Sequence, residues 1–283
     1  MQITPLTPHT GADILGVDIA SLSDAEFQAI YRAWLDRGVI RFRDQKLTVP
    51  QLEAFSARFG PLEEFPGYSQ IPDEFRKRFE SRYVTVISNI KEDGRPIGGL
   101  GNAEAAWHSD MTYNAIPPTA SVLYSVEIPP EGGDTFFVNQ HAAWEALPDE
   151  LKARIEGLSI KHDASHTSVG DLRLGYSEPA SPVEAPGAVH PAVITHPETG
   201  RKTLFLGRRD WAYVMGLPLA ESERLLDELW SYAAPEALVW RQVWQVGDVV
   251  VWDNRSVLHR RDEFDDRHRR LLRRCQVLAR EAA

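Results

Sequence analysis

The spacing of apolar residues along this chain changes from helical to alternating after the first quarter. Phe27, Ile30, Tyr31, Trp34 and Leu35 recur three and four positions apart, which puts them on one helix face. Ser23-Asp24-Ala25-Glu26 stands in front of them as a capping box. The Ser23 hydroxyl can accept from the Glu26 amide, and the Glu26 carboxylate can reach back. Gly38 is placed to end this helix, and residues 39–43 read as a strand. A second helix is expected from Thr48 and Pro50, burying Leu52, Phe55 and Phe59 and stopping at Gly60.

The remainder reads mainly as strands, at residues 83–88, 120–126, 135–138, 204–206, 249–252 and 271–278. Turn signals separate them, including Pro129-Pro130-Glu131-Gly132-Gly133, Glu198-Thr199-Gly200 and Val246-Gly247-Asp248. Helices interrupt at about residues 142–155, around a Pro148 start, and at 219–232. Residues 66–82 and 164–188 read as loops long enough to serve as lids. Many short strands with inserted helices and no βαβ rhythm predict a mainly β fold with peripheral helices, a jelly-roll barrel. With no repeat and no linker, one domain over residues 1–283 is expected.

Composition narrows the partners. The net charge of -10 disfavours a phosphate backbone, so nucleic acid is not expected. The single cysteine, Cys275, excludes an intramolecular disulfide. The start Met1-Gln2-Ile3-Thr4-Pro5 has no basic-then-apolar signal, and no apolar run approaches about 18 residues, so a cytoplasmic protein without a membrane partner is expected. A homo-oligomer is also expected.

Candidate chemistry begins with Trp107-His108-Ser109-Asp110. On an extended segment His108 and Asp110 face the same way, so an imidazole and a carboxylate can share one divalent metal. With nine histidines in the chain, such a pattern also arises readily by chance. His196-Pro197-Glu198 has the same spacing, but its proline and its hairpin-like setting assign His196 a structural role. A third ligand must come from elsewhere. His259 follows the strand-like Val249-Val250-Val251-Trp252 and the polar Asp253-Asn254-Arg255, as though at a barrel mouth. Further on, a period of two puts Arg270, Leu272, Arg274 and Gln276 on one strand face. Guanidiniums turned into a barrel need anions, and their forks suit carboxylate or sulfonate. The alternative is that one inward arginine makes a structural salt bridge.

The ordered set resembles the TauD/TfdA family, which includes taurine dioxygenase and 2,4-dichlorophenoxyacetate dioxygenase. The matching residues are Trp107-His108-Ser109-Asp110, Gly132-Gly133-Asp134-Thr135, Trp252-Asp253-Asn254-Arg255, His259, Arg270 and Arg274. The resemblance implies a double-stranded β-helix with His108, Asp110 and His259 as Fe(II) ligands. It also implies 2-oxoglutarate and dioxygen as cosubstrates. Arg270 and Thr135 would hold the distal carboxylate of 2-oxoglutarate beside Trp252, and Arg274 would face a small anionic substrate. The taurine members carry a histidine and a tyrosine after the second helix. Here that segment has Phe65 and Tyr68, which become candidate substrate contacts, and the histidine is absent. The text at Val86-Ile87-Ser88-Asn89-Ile90 and Arg270-Leu271-Leu272-Arg273-Arg274 is nearer the phenoxyacetate branch. A carboxylate of the aryloxyalkanoate type is therefore expected, with a sulfonate second. A zinc hydrolase or isomerase on the same ligands, or an idle acid-binding barrel, are rival classes.

Overall fold

The computed structural model describes residues 1–65, 67–71, 73–76 and 80–279. Part of the expected 66–82 loop therefore lies outside the described residues. Two sheets form the frame. The larger has eight strands in the spatial order Gln2–Pro5, Ala12–Leu15, Val39–Phe42, Val249–Asp253, Ala120–Glu127, Leu271–Val277, Val84–Ser88 and Gly99–Leu100. The smaller has four, in the order Val239–Gln242, Thr135–Asn139, Val257–Arg261 and Ala105–His108. Strands distant in sequence are spatial neighbours, so the jelly-roll expectation holds. Among the described residues, no helix is long and apolar enough to cross a membrane.

Each sheet buries both faces. Between the sheets, Val39, Ile87, Leu123, Val250, Trp252 and Leu272 of the larger meet Phe137, Trp240 and Val257 of the smaller. Behind the larger sheet, Val122, Val251, Cys275 and Val277 pack on Phe27, Ile30 and Trp34 of the first helix and on Leu52 and Phe55 of the second. Behind the smaller sheet, Val138 and Leu258 pack on Ala143, Leu151 and Leu226. Alternation along one strand thus sends Leu272 inward and Cys275 outward.

The first helix forms as its pattern predicts, over Asp24–Arg37, with both halves of the Ser23/Glu26 capping box made. Gly38 caps it at φ 72, where its N–H donates to the Trp34 carbonyl at 2.8 Å. A Cβ here would come within 2.7 Å of Val257 Cγ2, so glycine also lets the helix end approach the smaller sheet. The second helix, Val49–Ala57, ends before Gly60, although Phe59 remains buried with its aromatic neighbours. Residues 140–155 form two helices, Gln140–Ala146 and Asp149–Ile155. Pro148 caps the second and holds Leu147 out of helical geometry. The strand expected at 204–206 is instead Lys202–Leu204, paired with Val193–Thr195.

One correction bears on the site. His259 does not follow a strand into a mouth; it lies in the middle of its own strand, Val257–Arg261. A three-residue turn after Asp253 separates the two strands, and the second leaves little trace in the sequence because its apolar run is only Val257 and Leu258.

Candidate active site

The smaller sheet sets the spacing of the two histidines. His259 and His108 are directly paired across adjacent antiparallel strands, and Phe137 lies opposite His259 on its other side. The imidazole rings are 4.2 Å apart. The strand ends at His108, and Met111 turns back with a φ of 50. Asp110, two positions past His108, reaches the same point. Ser109 secures it by donating through Oγ to the Val257 carbonyl at 2.9 Å and through N–H to the Gly207 carbonyl at 3.1 Å.

Asp110 Oδ1 stands 3.7 Å from His108 Nε2 and 3.8 Å from His259 Nε2. Donor atoms of all three residues lie within 4.8 Å of one another, close enough to share one ion. His108 Nδ1–H donates to the Ala106 carbonyl at 2.7 Å, which leaves Nε2 with its lone pair toward the cluster. Asp110 Oδ2 accepts from Ser121 Oγ at 2.7 Å, and Ser121 in turn accepts from Asn254 Nδ2 at 3.2 Å. These bonds turn Oδ1 toward the imidazoles.

The electrostatics suit a cation. Burial opposes ionisation of Asp110, but the Arg274 guanidinium prevails and holds its carboxyl below the usual carboxylate range. Burial pushes His259 down to about 3, so its imidazole is neutral. Two imidazoles and one carboxylate on a common side are donors that suit Fe(II) and leave other positions open.

A cavity of about 260 Å³ opens beside this cluster, room for small molecules. Its wall includes Thr135, Trp252, Arg270 and Arg274, all expected from the sequence. The Trp252 ring lies 4.8 Å from that of His259. Thr135 Oγ1 accepts from Trp244 Nε1 at 3.0 Å, so its own proton is available to a ligand in the cavity. Arg270 is 2% exposed, and burial followed by repulsion from Arg261 pushes it down to about 9. Its backbone is anchored by Asn89 Oδ1, which accepts from its N–H at 3.0 Å, and by Ser88 Oγ, which donates to its carbonyl at 2.7 Å. Arg274 points inward from the strand that Arg270 precedes, Leu271–Val277, with Nη1 3.5 Å from Asp110 Oδ1.

His196 stands apart from the cluster. Its Nε2–H donates to Asp253 Oδ2 at 3.0 Å, while Nδ1 accepts from the N–H groups of Glu198 and Thr199. Arg255 also binds Asp253, at 2.7 Å. Burial disfavours the Asp253 charge, but Arg255 and His196 hold its pKa at about 2. The Asp253-Asn254-Arg255 segment therefore locks the turn leading to His259. Phe65 and Tyr68 pack edge to face at 5.1 Å, and the described lining of the cavity includes neither.

The cavity also contains residues that the sequence reading did not select. Arg261 has a local signal, since it is two positions past His259 and shares its strand face. Arg173, Arg208 and Tyr113 have none, because irregular segments deliver them. Arg173 donates to the Tyr113 hydroxyl at 2.9 Å, and Arg208 pairs with Asp163 at 2.8 Å.

A double-stranded β-helix with an inward His-Asp-His cluster and inward arginines defines a class of metal-dependent oxygenases. Comparison with known proteins is specific. The family model described as taurine catabolism dioxygenase TauD, TfdA family matches residues 2–276. The 2,4-dichlorophenoxyacetate/α-ketoglutarate dioxygenase of Cupriavidus pinatubonensis is 38% identical, over 97% of this chain and 96% of that protein. The (S)-phenoxypropionate/α-ketoglutarate dioxygenase of Sphingobium herbicidovorans is 35% identical, over 96% of this chain and 92% of that one. Among solved structures, AAD-2 with Mn(II) and N-oxalylglycine aligns with a TM-score of 0.82 at 30% identity, covering 99% of this chain and 98% of that one. A taurine dioxygenase from Burkholderia xenovorans aligns with a TM-score of 0.77 at 32% identity, covering 99% and 91%. The chain belongs to the TauD/TfdA family. It is a 2-oxoglutarate-dependent dioxygenase, with Fe(II), 2-oxoglutarate and dioxygen as its cofactor and cosubstrates.

Proposed function

We propose that this enzyme hydroxylates a small carboxylate of the aryloxyalkanoate type, with iron held by His108, Asp110 and His259. When bound, iron would activate dioxygen, the oxidant: one oxygen atom would pass to the oxo acid as it loses carbon dioxide to give succinate, and the other would be inserted into a substrate C–H bond. The chain supplies position. Arg270 and the Thr135 hydroxyl hold the distal carboxylate of 2-oxoglutarate, and Trp252 walls the space between them and His259. Arg274 holds the substrate carboxylate. Hydroxylation at a carbon that carries an ether oxygen gives a hemiacetal, which breaks down to a phenol and an oxo acid.

The observation that carries this reading is the place of Arg274, whose guanidinium is 3.5 Å from the carboxylate of Asp110. An anion held there keeps the adjacent substrate carbon beside the metal cluster. The two curated relatives named above are described as acting on such acids. A sulfonate is the second reading, favoured by the structural likeness to a taurine dioxygenase and by the ability of the same fork to accept it. The test is succinate formation with Fe(II) and ascorbate in the presence of phenoxyacetate, 2-phenoxypropionate, their methyl esters or taurine. Stimulation by the acids and not by the esters is expected. Stimulation by taurine alone would move the assignment to sulfonates, and equal stimulation by acid and ester would remove Arg274 as the anion site.

A further inference from the structure

Two buried guanidiniums share one region of the cavity wall. Arg270 is 2% exposed and Arg261 is 6% exposed, and both line the cavity. They approach from different sheets. Arg270 immediately precedes the Leu271–Val277 strand of the larger sheet, and Arg261 ends the Val257–Arg261 strand of the smaller. Both lie against one ring, Phe264, whose centroid is 5.7 Å from Arg270 Cζ and 5.9 Å from Arg261 Cζ. Thr135 is the direct cross-strand partner of Arg261.

Among the described residues, neither guanidinium has a carboxylate partner within salt-bridge distance. Their bonds within the protein go to carbonyls. Arg270 Nη2 donates to Gly133 at 3.2 Å, and Arg261 Nη2 donates to Leu100 at 2.9 Å and to Ala103. The Nε–H of each is buried without a partner. Carbonyl dipoles do not neutralise two like charges in so dry a place, and unpaired buried charge is costly. Arg208, in contrast, has Asp163, and Arg274 has Asp110. The anion missing from the Arg261–Arg270 pair must therefore come from a ligand.

We propose that Arg261 is a second guanidinium of the 2-oxoglutarate subsite and shares the distal carboxylate with Arg270 and Thr135. This rests on the functional reading above. One carboxylate has two oxygens and about four lone-pair directions, enough for two guanidiniums and a hydroxyl. Recognition is then divided between the two sheets, so a cosubstrate bound at this end also ties them together. A 2-oxo acid without a distal carboxylate would leave two charges unmet, and discrimination between oxo acids should be correspondingly steep.

The test uses Arg261→Met, which keeps the bulk of the side chain and removes the charge, beside Arg270→Met and the wild type. Binding of 2-oxoglutarate and of N-oxalylglycine is measured by calorimetry and by ligand-induced thermal shift, and KM is measured separately for 2-oxoglutarate and for the primary substrate. Arg261→Met should weaken 2-oxoglutarate binding and raise its KM about tenfold to a hundredfold, the range for one lost charge-assisted contact, with the primary-substrate KM little changed. Preference for 2-oxoglutarate over 2-oxobutyrate should fall by a similar factor. If Arg261 only braces the Leu100 and Ala103 carbonyls, the variant will melt earlier without ligand, yet show an undiminished thermal shift and an unchanged KM for 2-oxoglutarate. That result would overturn the inference. A wild-type protein that binds neither ligand would overturn the functional reading instead.

Discussion

Arg274 and Asp110 are joined across the space between the sheets, with Nη1 3.5 Å from Oδ1. Asp110 follows a strand of the smaller sheet, and Arg274 lies within a strand of the larger. The contact links a metal-ligand candidate to the candidate substrate anchor. The two groups should fail differently when removed. Arg274→Ala should weaken stimulation by acid substrates about tenfold or more, since charge-assisted hydrogen bonds contribute roughly 1.5–3 kcal/mol. It should leave the slow substrate-free decarboxylation of 2-oxoglutarate mostly intact. The check is succinate formation with and without substrate. Loss of the substrate-free reaction as well would place Arg274 in the metal site rather than the substrate site.

Changing His108, Asp110 or His259 to Ala should abolish iron-dependent turnover while circular dichroism stays close to that of the wild type. His196→Ala should retain iron, because its partners are Asp253 and backbone N–H groups. Metal content after anaerobic loading separates the two outcomes. An iron-free His196→Ala protein with normal secondary structure would bring His196 into the metal site.

The cosubstrate contacts should rank in order. Arg270→Ala removes the buried partner of a carboxylate, a change that typically costs about 3–5 kcal/mol, or more than a hundredfold in affinity. Thr135→Val removes one hydrogen bond to a charged group, roughly 1.5–3 kcal/mol. The KM for 2-oxoglutarate measures both. If Thr135→Val proves the more damaging, the distal carboxylate is not centred on Arg270.

The Asp253 cluster should appear in acid stability. Its carboxyl titrates at about 2 in the fold, against an ordinary value of 3.8. A lowered carboxylate value means stability that is present above about pH 4 and lost as pH falls through 2, worth about 2 kcal/mol. Asp253→Asn should cost about 3–5 kcal/mol at neutral pH, since Arg255 and His196 lose a buried partner. The gap between variant and wild type should narrow by about 2 kcal/mol from pH 5 to pH 2. Urea denaturation across that range measures it, and a constant gap would mean that Asp253 is not the titrating group.

Elements governed by near neighbours in the chain were legible from the sequence. The Ser23 capping box, the Phe27 to Trp34 stripe and the Gly38 stop specify the first helix because every partner lies within four residues. The alternation from Arg270 to Gln276 told which side chains turn inward, since a strand has a fixed period of two. His108, Asp110 and His259 were legible as a set of residue types, and their meeting was not. The two histidines are brought opposite each other by strand register, a relation between residues about 150 positions apart that no local pattern encodes. Tertiary structure alone also decided that Ser121 orients the Asp110 carboxylate, and that Arg261 and Arg270 lie against one ring, Phe264, from two sheets. Hydrogen-bond partners settled the roles of like residues. His196 and His108 each stand two positions before an acidic residue, but one is saturated by Asp253 and backbone N–H groups while the other keeps Nε2 facing a carboxylate and an open cavity. A hydrogen-bonding group becomes available for chemistry when the fold leaves it without a protein partner, and only packing in three dimensions determines which groups those are.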